Sequence, residues 1–273
     1  TRLQVSCVML LNIKHITEYT YKSPVEFALQ QVKLRPLDSS VQMVSDWQLD
    51  IEGGKIETSY KDHYGNHVDL VSADKGTQSL TIVASGVVET RDVAGVFGKV
   101  YGRAPLWHFG QNTDLTTPGP RIAALAEALK ATGDKLDGLH KLSTAVLEAV
   151  PYEVGHTDAK TPAETAVEIG KGVCQDHANI FVSVAREAGL PARYVSGYLM
   201  MDDTADQDAS HAWGEVHLPD LGWVGFDVSN SMCPDERYVR IAIGRDAHDA
   251  APIYGLRGGA GDESLIVSLQ VQQ

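Results

Sequence analysis

The sequence predicts an α+β protein: an N-terminal antiparallel β-sandwich domain over residues 1–105, then a catalytic domain of helices and strands over residues 106–273. Three features predict it. Strand-like runs fill the chain as far as Arg103, a breaker-rich connection follows, and helical periodicity then gives way to short strands beyond Pro191.

In the first part, Thr17–Tyr21, Gln30–Leu34, Val44–Ile51 and Leu80–Ala84 alternate or are rich in β-branched residues, and Gly53-Gly54, Gly65-Asn66 and Lys75-Gly76 separate them as turns. Short strands at this spacing suggest a sandwich. His63 and His67 flank the Gly65-Asn66 turn; without a third ligand they read as a hairpin tip rather than a metal site. Gly102, Pro105, Gly110, Pro118, Gly119 and Pro120 then mark the boundary.

Helical spacing of apolar residues follows at Ile122, Leu125, Ala126 and Leu129, and again at Leu142, Val146, Leu147 and Val150. Thr161-Pro162-Ala163-Glu164 reads as a capped helix start with proline in the first position, the helix running to about Ile169. Gly170 and Gly172 deliver the chain to Cys174, which opens a helix whose buried face carries Ala178, Phe181, Val182 and Ala185.

A thiol becomes a good nucleophile when deprotonated. The unpaired amides of a helix start favour the thiolate, an imidazole takes the proton, and a carboxylate holds that imidazole in the useful tautomer. The chain supplies the parts in order: Cys174 in a first helical turn, His211 in a short strand and Asp227 at the end of another. Alone, Cys174 would read as a small core residue; the joint appearance of the three makes an acyl-transfer site. Strand alternation puts Trp213 on the side of His211, and Trp223 on the side of Asp227, as aromatic shields. With Tyr198 they are the expected lining of the substrate cleft. The Cys174 backbone N–H and Tyr152 are the candidates for holding the oxyanion. A zinc set of Cys174, His177, His211 and Cys233 is geometrically awkward, because a first helical turn would have to offer two ligands toward a strand. Nothing calls for a metal or cofactor. The acidic run Asp202–Asp208 lacks the glycine and terminal glutamate of a calcium loop and reads as a solvated rim.

Charge narrows the partners. Residues 1–105 carry 11 Lys+Arg against 12 Asp+Glu, whereas residues 106–273 carry 12 against 24, so nearly all of the net −13 lies on the cysteine half. That field disfavours nucleic acid and suits a peptide or amide substrate that is amine-bearing or basic. Three cysteines without motif-like spacing point to a reducing compartment, with the cytoplasm as the expected location. The apolar run Cys7–Leu11 is too short for a membrane span.

The motifs Gly172-Val173-Cys174-Gln175-Asp176, Gly189-Leu190-Pro191-Ala192-Arg193-Tyr194-Val195-Ser196-Gly197-Tyr198, His211-Ala212-Trp213 and Gly222-Trp223-Val224-Gly225-Phe226-Asp227 resemble the bacterial transglutaminase-like superfamily of candidate cysteine proteases. The β-rich first part resembles that family's N-terminal domain, and Arg240–Pro252 its C-terminal signature. The resemblance implies a papain-like core, in which the nucleophile helix packs on an antiparallel sheet. It also implies Cys174 as nucleophile, His211 as base and acid, Asp227 as orienting carboxylate, and His177 and His217 as bystanders. The expected activity is hydrolysis of a peptide, isopeptide or other amide through an acyl-thioester. Acyl transfer to an amine and a catalytically silent binding domain are the alternatives. The chain departs from the family at Asn179, where histidine is common, and at Val228-Ser229-Asn230, where Pro-Thr-Asn is common.

Overall fold

A computed structural model describes residues 8–98, 103–201, 206–207, 210–258 and 263–273. Cys7 and most of the acidic run (residues 202–205 and 208) lie outside the described residues. The chain is α+β with antiparallel sheets. Its strands begin with β1 (Val8–Tyr21), β2 (Phe27–Val32), β3 (Gln42–Glu52), β4 (Gly54–Lys61), β5 (His67–Ala73), β6 (Ser79–Arg91) and β7 (Val96–Gly98). A 3-10 turn at Leu106–Gly110 leads to α1 (Pro120–Ala131), α2 (Lys135–Ala149), α3 (Ala163–Ile169) and α4 (Cys174–Glu187). Then come β8 (Ala192–Leu199), β9 (Asp206–Gln207), β10 (His211–Leu218), β11 (Gly222–Phe226), β12 (Tyr238–Gly244), β13 (Ile253–Gly258) and β14 (Glu263–Gln272).

Two sheets, ordered β3-β6-β1-β14-β9 and β13-β2-β5-β4, form the sandwich. Alternation drives it: on β1, Leu11, Ile13, Tyr19 and Tyr21 are buried while their neighbours largely face out. Tyr21, Val32, Val71, Leu80 and Ile82 fill the space between the two sheets. Gly53 makes the β3–β4 turn at φ 78°, and a side chain there would run into the Ser79 carbonyl. His63 and His67 do flank a hairpin tip, closed by the Asp62 carboxylate accepting from the N–H groups of Tyr64 and Asn66.

The third sheet, β12-β8-β10-β11-β7, carries the helices on one face. α4 approaches β10 closely because residue 214 is glycine; a Cβ there would stand 2.7 Å from the Phe181 ring. Packing of Phe181, Val182 and Ala185 against Val216, Val224 and Phe226 makes the core beneath α4. Leu11, Ile13 and Leu269 of the first sheet meet Tyr198, Val239 and Ile241 of the third, joining sandwich and core through apolar contact.

Pairing crosses residue 105 in both directions. β7 hydrogen-bonds to β11 in the third sheet, while β13 pairs with β2 and β14 lies alongside β1. The chain therefore leaves the sandwich, builds the helical core and returns to complete both sandwich sheets.

One helix start differs from its sequence reading. Pro162 is the N-cap of α3 rather than its first residue, and Glu164 caps a different helix. Its carboxylate accepts from the backbone N–H groups of Gly119, Arg121 and Ile122, the start of α1, which has no cap of its own.

Candidate active site

Cys174 is the first residue of α4 and half-buried. The turn before it is shaped by Asp176, whose carboxylate accepts from the N–H of Val173 at 2.8 Å and from the hydroxyl of Thr157 at 2.6 Å. Glycine is required at 172 because a Cβ there would stand 2.8 Å from that same carboxylate. The motif Gly172-Val173-Cys174-Gln175-Asp176 is thus one device: an acidic residue caps the helix from inside and holds the cysteine at its N-terminal end.

His211 opens β10 and Asp227 follows the last residue of β11, both buried. Nε2 of His211 donates to Oδ2 of Asp227 at 2.6 Å, which leaves Nδ1 for the bond to Cys174. Burial pulls the imidazolium pKa down, but hydrogen bonds to Asp227 and Cys174 and their charges outweigh it and raise it to about 10. Burial likewise works against the Asp227 carboxylate. The bond and charge of His211, with donors from Asn230 and Tyr238, hold it below the usual aspartate value. His211 therefore bridges Cys174 and Asp227.

Two partners of Asp227 escaped the sequence reading. The hydroxyl of Tyr238 on β12 and the side-chain amide of Asn230 both donate to Oδ2, each at 2.7 Å. Asn230 was legible: it lies three residues beyond Asp227, in the turn closed by the Asp227–Met232 bridge. Tyr238 was not, since its approach depends on how β12 lies across β8.

Trp213, Trp223 and Tyr198 do not line the cleft. They are 1%, 2% and 0% exposed. Trp213 and Trp223 pack with Phe109 and Tyr238 on the sheet face away from α4, and Tyr198 lies in the seam with the sandwich, its hydroxyl bonded to Nδ1 of His15. Alternation places the two tryptophans as expected beside His211 and Asp227; a third layer of structure then covers them. Beneath them Glu215, which shares the face of His211 and Trp213, takes the guanidinium groups of Arg193 and Arg240 at 2.7 Å, all three buried. Arg193 also covers the Trp223 ring at 3.9 Å.

Tyr152 is 54% exposed at the mouth of the site and bridges to Gly172. Burial first, then the charges of Cys174 and Asp227, raise its phenol pKa, so the hydroxyl stays protonated. His177 is an anchor: Nε2 bonds the Val150 carbonyl at 2.6 Å and Nδ1 the Ser229 hydroxyl at 2.8 Å. The departure at Ser229 thus ties the Asp227 turn to α4. Both nitrogens of His177 being taken, the zinc set is not assembled, and Cys233 packs against Gly95 instead. Asn179 accepts from the Ala247 N–H.

Residues 123–228 match the transglutaminase-like superfamily, and residues 11–89 match the bacterial transglutaminase-like N-terminal region. An uncharacterised protein of Mycobacterium leprae is 26% identical over 96% of this chain and 98% of its own length. A protein-glutamine gamma-glutamyltransferase of Pseudomonas aeruginosa is 29% identical over 46% of this chain and 20% of its own. Among solved structures, a candidate cysteine protease of Cytophaga hutchinsonii superposes with a TM-score of 0.73 at 18% identity, covering 97% of this chain and all of that one. Sequence motifs, sheet topology and both matches agree: the chain belongs to the transglutaminase-like superfamily, in the form that carries the bacterial N-terminal region.

Proposed function

We propose that the protein is a cysteine-dependent amide hydrolase in which Cys174 is the nucleophile, His211 the proton carrier and Asp227 the orienting carboxylate. The observation that carries this reading is the 2.6 Å bond from Nε2 of His211 to Asp227, which leaves Nδ1 to Cys174. The Cys174 thiol gives its proton to Nδ1 of His211 as its sulfur attacks the amide carbon, and the C=O electrons move to oxygen. The backbone N–H of Cys174 and the hydroxyl of Tyr152 hold that oxyanion. As it collapses, the C–N bond breaks, Nδ1 of His211 gives its proton to the departing amine, and an acyl-thioester remains on Cys174. A water molecule, losing its proton to His211, then releases the acid and restores the thiol.

Hydrolysis is preferred to amine transfer because transfer needs a second site that excludes water from the thioester. Amine transfer is the second reading, favoured by the acidic charge of residues 106–273 and by the partial relative named as a glutamyltransferase. Incubation with casein, with and without a fluorescent primary amine such as monodansylcadaverine, separates the readings. Peptide or ammonia release without label means hydrolysis, label in casein means transfer, and both vanish in Cys174→Ala. Absence of both products together with an unreactive Cys174 would leave a binding domain.

A further inference from the structure

The N-terminal half holds a cleft of about 850 Å³, a size suited to a small-molecule ligand. It opens between the loop at residues 35–40 and the strands β3, β4 and β5, with Arg103 at its rim. Its charge runs against that of the chain. Arg35, Lys61 and Arg103 face Asp38 and Asp69 across it, and the two carboxylates are already occupied. Asp69, fully buried, takes Nε of Arg35 at 2.6 Å and the Ser59 hydroxyl at 2.5 Å, while Asp38 takes the N–H of Val44. Lys61 and Arg103 make no ion pair among the described residues, and Arg35 commits only Nε. Trp47 and His67 also contribute to the lining, with Nε1 of the one and Nδ1 of the other turned away from solvent. The half-buried Val44 and Trp47 side chains offer apolar surface beside these cations.

We propose that this cleft binds a small anion, a carboxylate or phosphate carried on an aromatic or apolar body, with its oxygens toward Arg35, Lys61 and Arg103. The site is separate from Cys174, so its test uses the full chain carrying Cys174→Ala. Calorimetric titration with benzoate, phenyl phosphate and the neutral benzamide reads the ligand class. One of the anions binds one-to-one, benzamide binds at least about tenfold more weakly, and Lys61→Glu or Arg103→Glu weakens the anion by about tenfold or more. Benzoate as the tighter ligand assigns a carboxylate, phenyl phosphate a phosphate. Arg35 is left intact because it neutralises buried Asp69. Three results would overturn the proposal: no binding of either anion up to about 10 mM, equal binding of benzamide, or anion binding unchanged in both variants.

Discussion

Oδ2 of Asp227 accepts from His211, Asn230 and Tyr238 at once, a concentration of donors on one buried oxygen that only an ionised carboxylate repays. Its consequence is a pH-dependent stability. The pKa of His211 is raised from 6.5 to about 10, so its contribution is complete below pH 6.5 and is lost as pH rises toward 10. The Asp227 pKa is depressed from 3.8, so its contribution is present above that value and lost as pH falls below it. In denaturant titrations, Asp227→Asn should therefore cost about 3–5 kcal/mol between about pH 4 and 6.5, and the difference from wild type should shrink by pH 10. A cost that stayed constant across this range would contradict the ion pair. At this scale the sequence was informative where function depends on order along the chain. Cys174, His211 and Asp227 could be picked out, and so could the side of the strand on which Trp213 and Trp223 lie. That both tryptophans are covered could not, because Phe109 and Tyr238, which cover them, come from distant segments.

Among the elements, α4 is the one whose start matters most, and it is held by residues inside its own motif: Gly172 leaves room for the Asp176 carboxylate, which caps Val173. α1 is held from outside. Glu164 satisfies three amides at its start, so Glu164→Ala should lower stability by about 1–2 kcal/mol in denaturant titration without altering the alkylation rate of Cys174. A change in that rate would mean that α1 and α3 position the thiol. Strands β1, β3 and β6 and helices α1, α2 and α4 were legible from periodicity, and α3 from the proline-marked start at residues 161–164. β4 was not, because only Gly54 and Ile56 of its eight residues avoid exposure, and β13 and β14 were not, because β2 and β1, against which they pair, lie more than two hundred residues earlier.

The whole molecule is knitted by those last strands. Leu269 and Val271 of β14 are buried against Leu11 and Ile13 of β1 and against the third sheet, so sandwich and helical core share one apolar seam. Residues 1–105 and 106–273 expressed separately should each be insoluble or fluctuating by hydrogen exchange, and co-expression should restore a folded complex. Two independently folded, soluble halves would show that the seam is dispensable.

The central claim is that His211 activates Cys174 as the nucleophile, and the alkylation rate of Cys174 with and without that imidazole tests it most directly. Iodoacetamide labelling, read by peptide mass spectrometry, distinguishes Cys174 from Cys7 and from Cys233, whose thiol pKa is raised by burial. At pH 7 Cys174 should react at least about tenfold faster than Cys233, and His211→Ala should abolish that difference. Equally slow labelling of Cys174 and Cys233 in both proteins would contradict the account and leave the fold without the proposed chemistry.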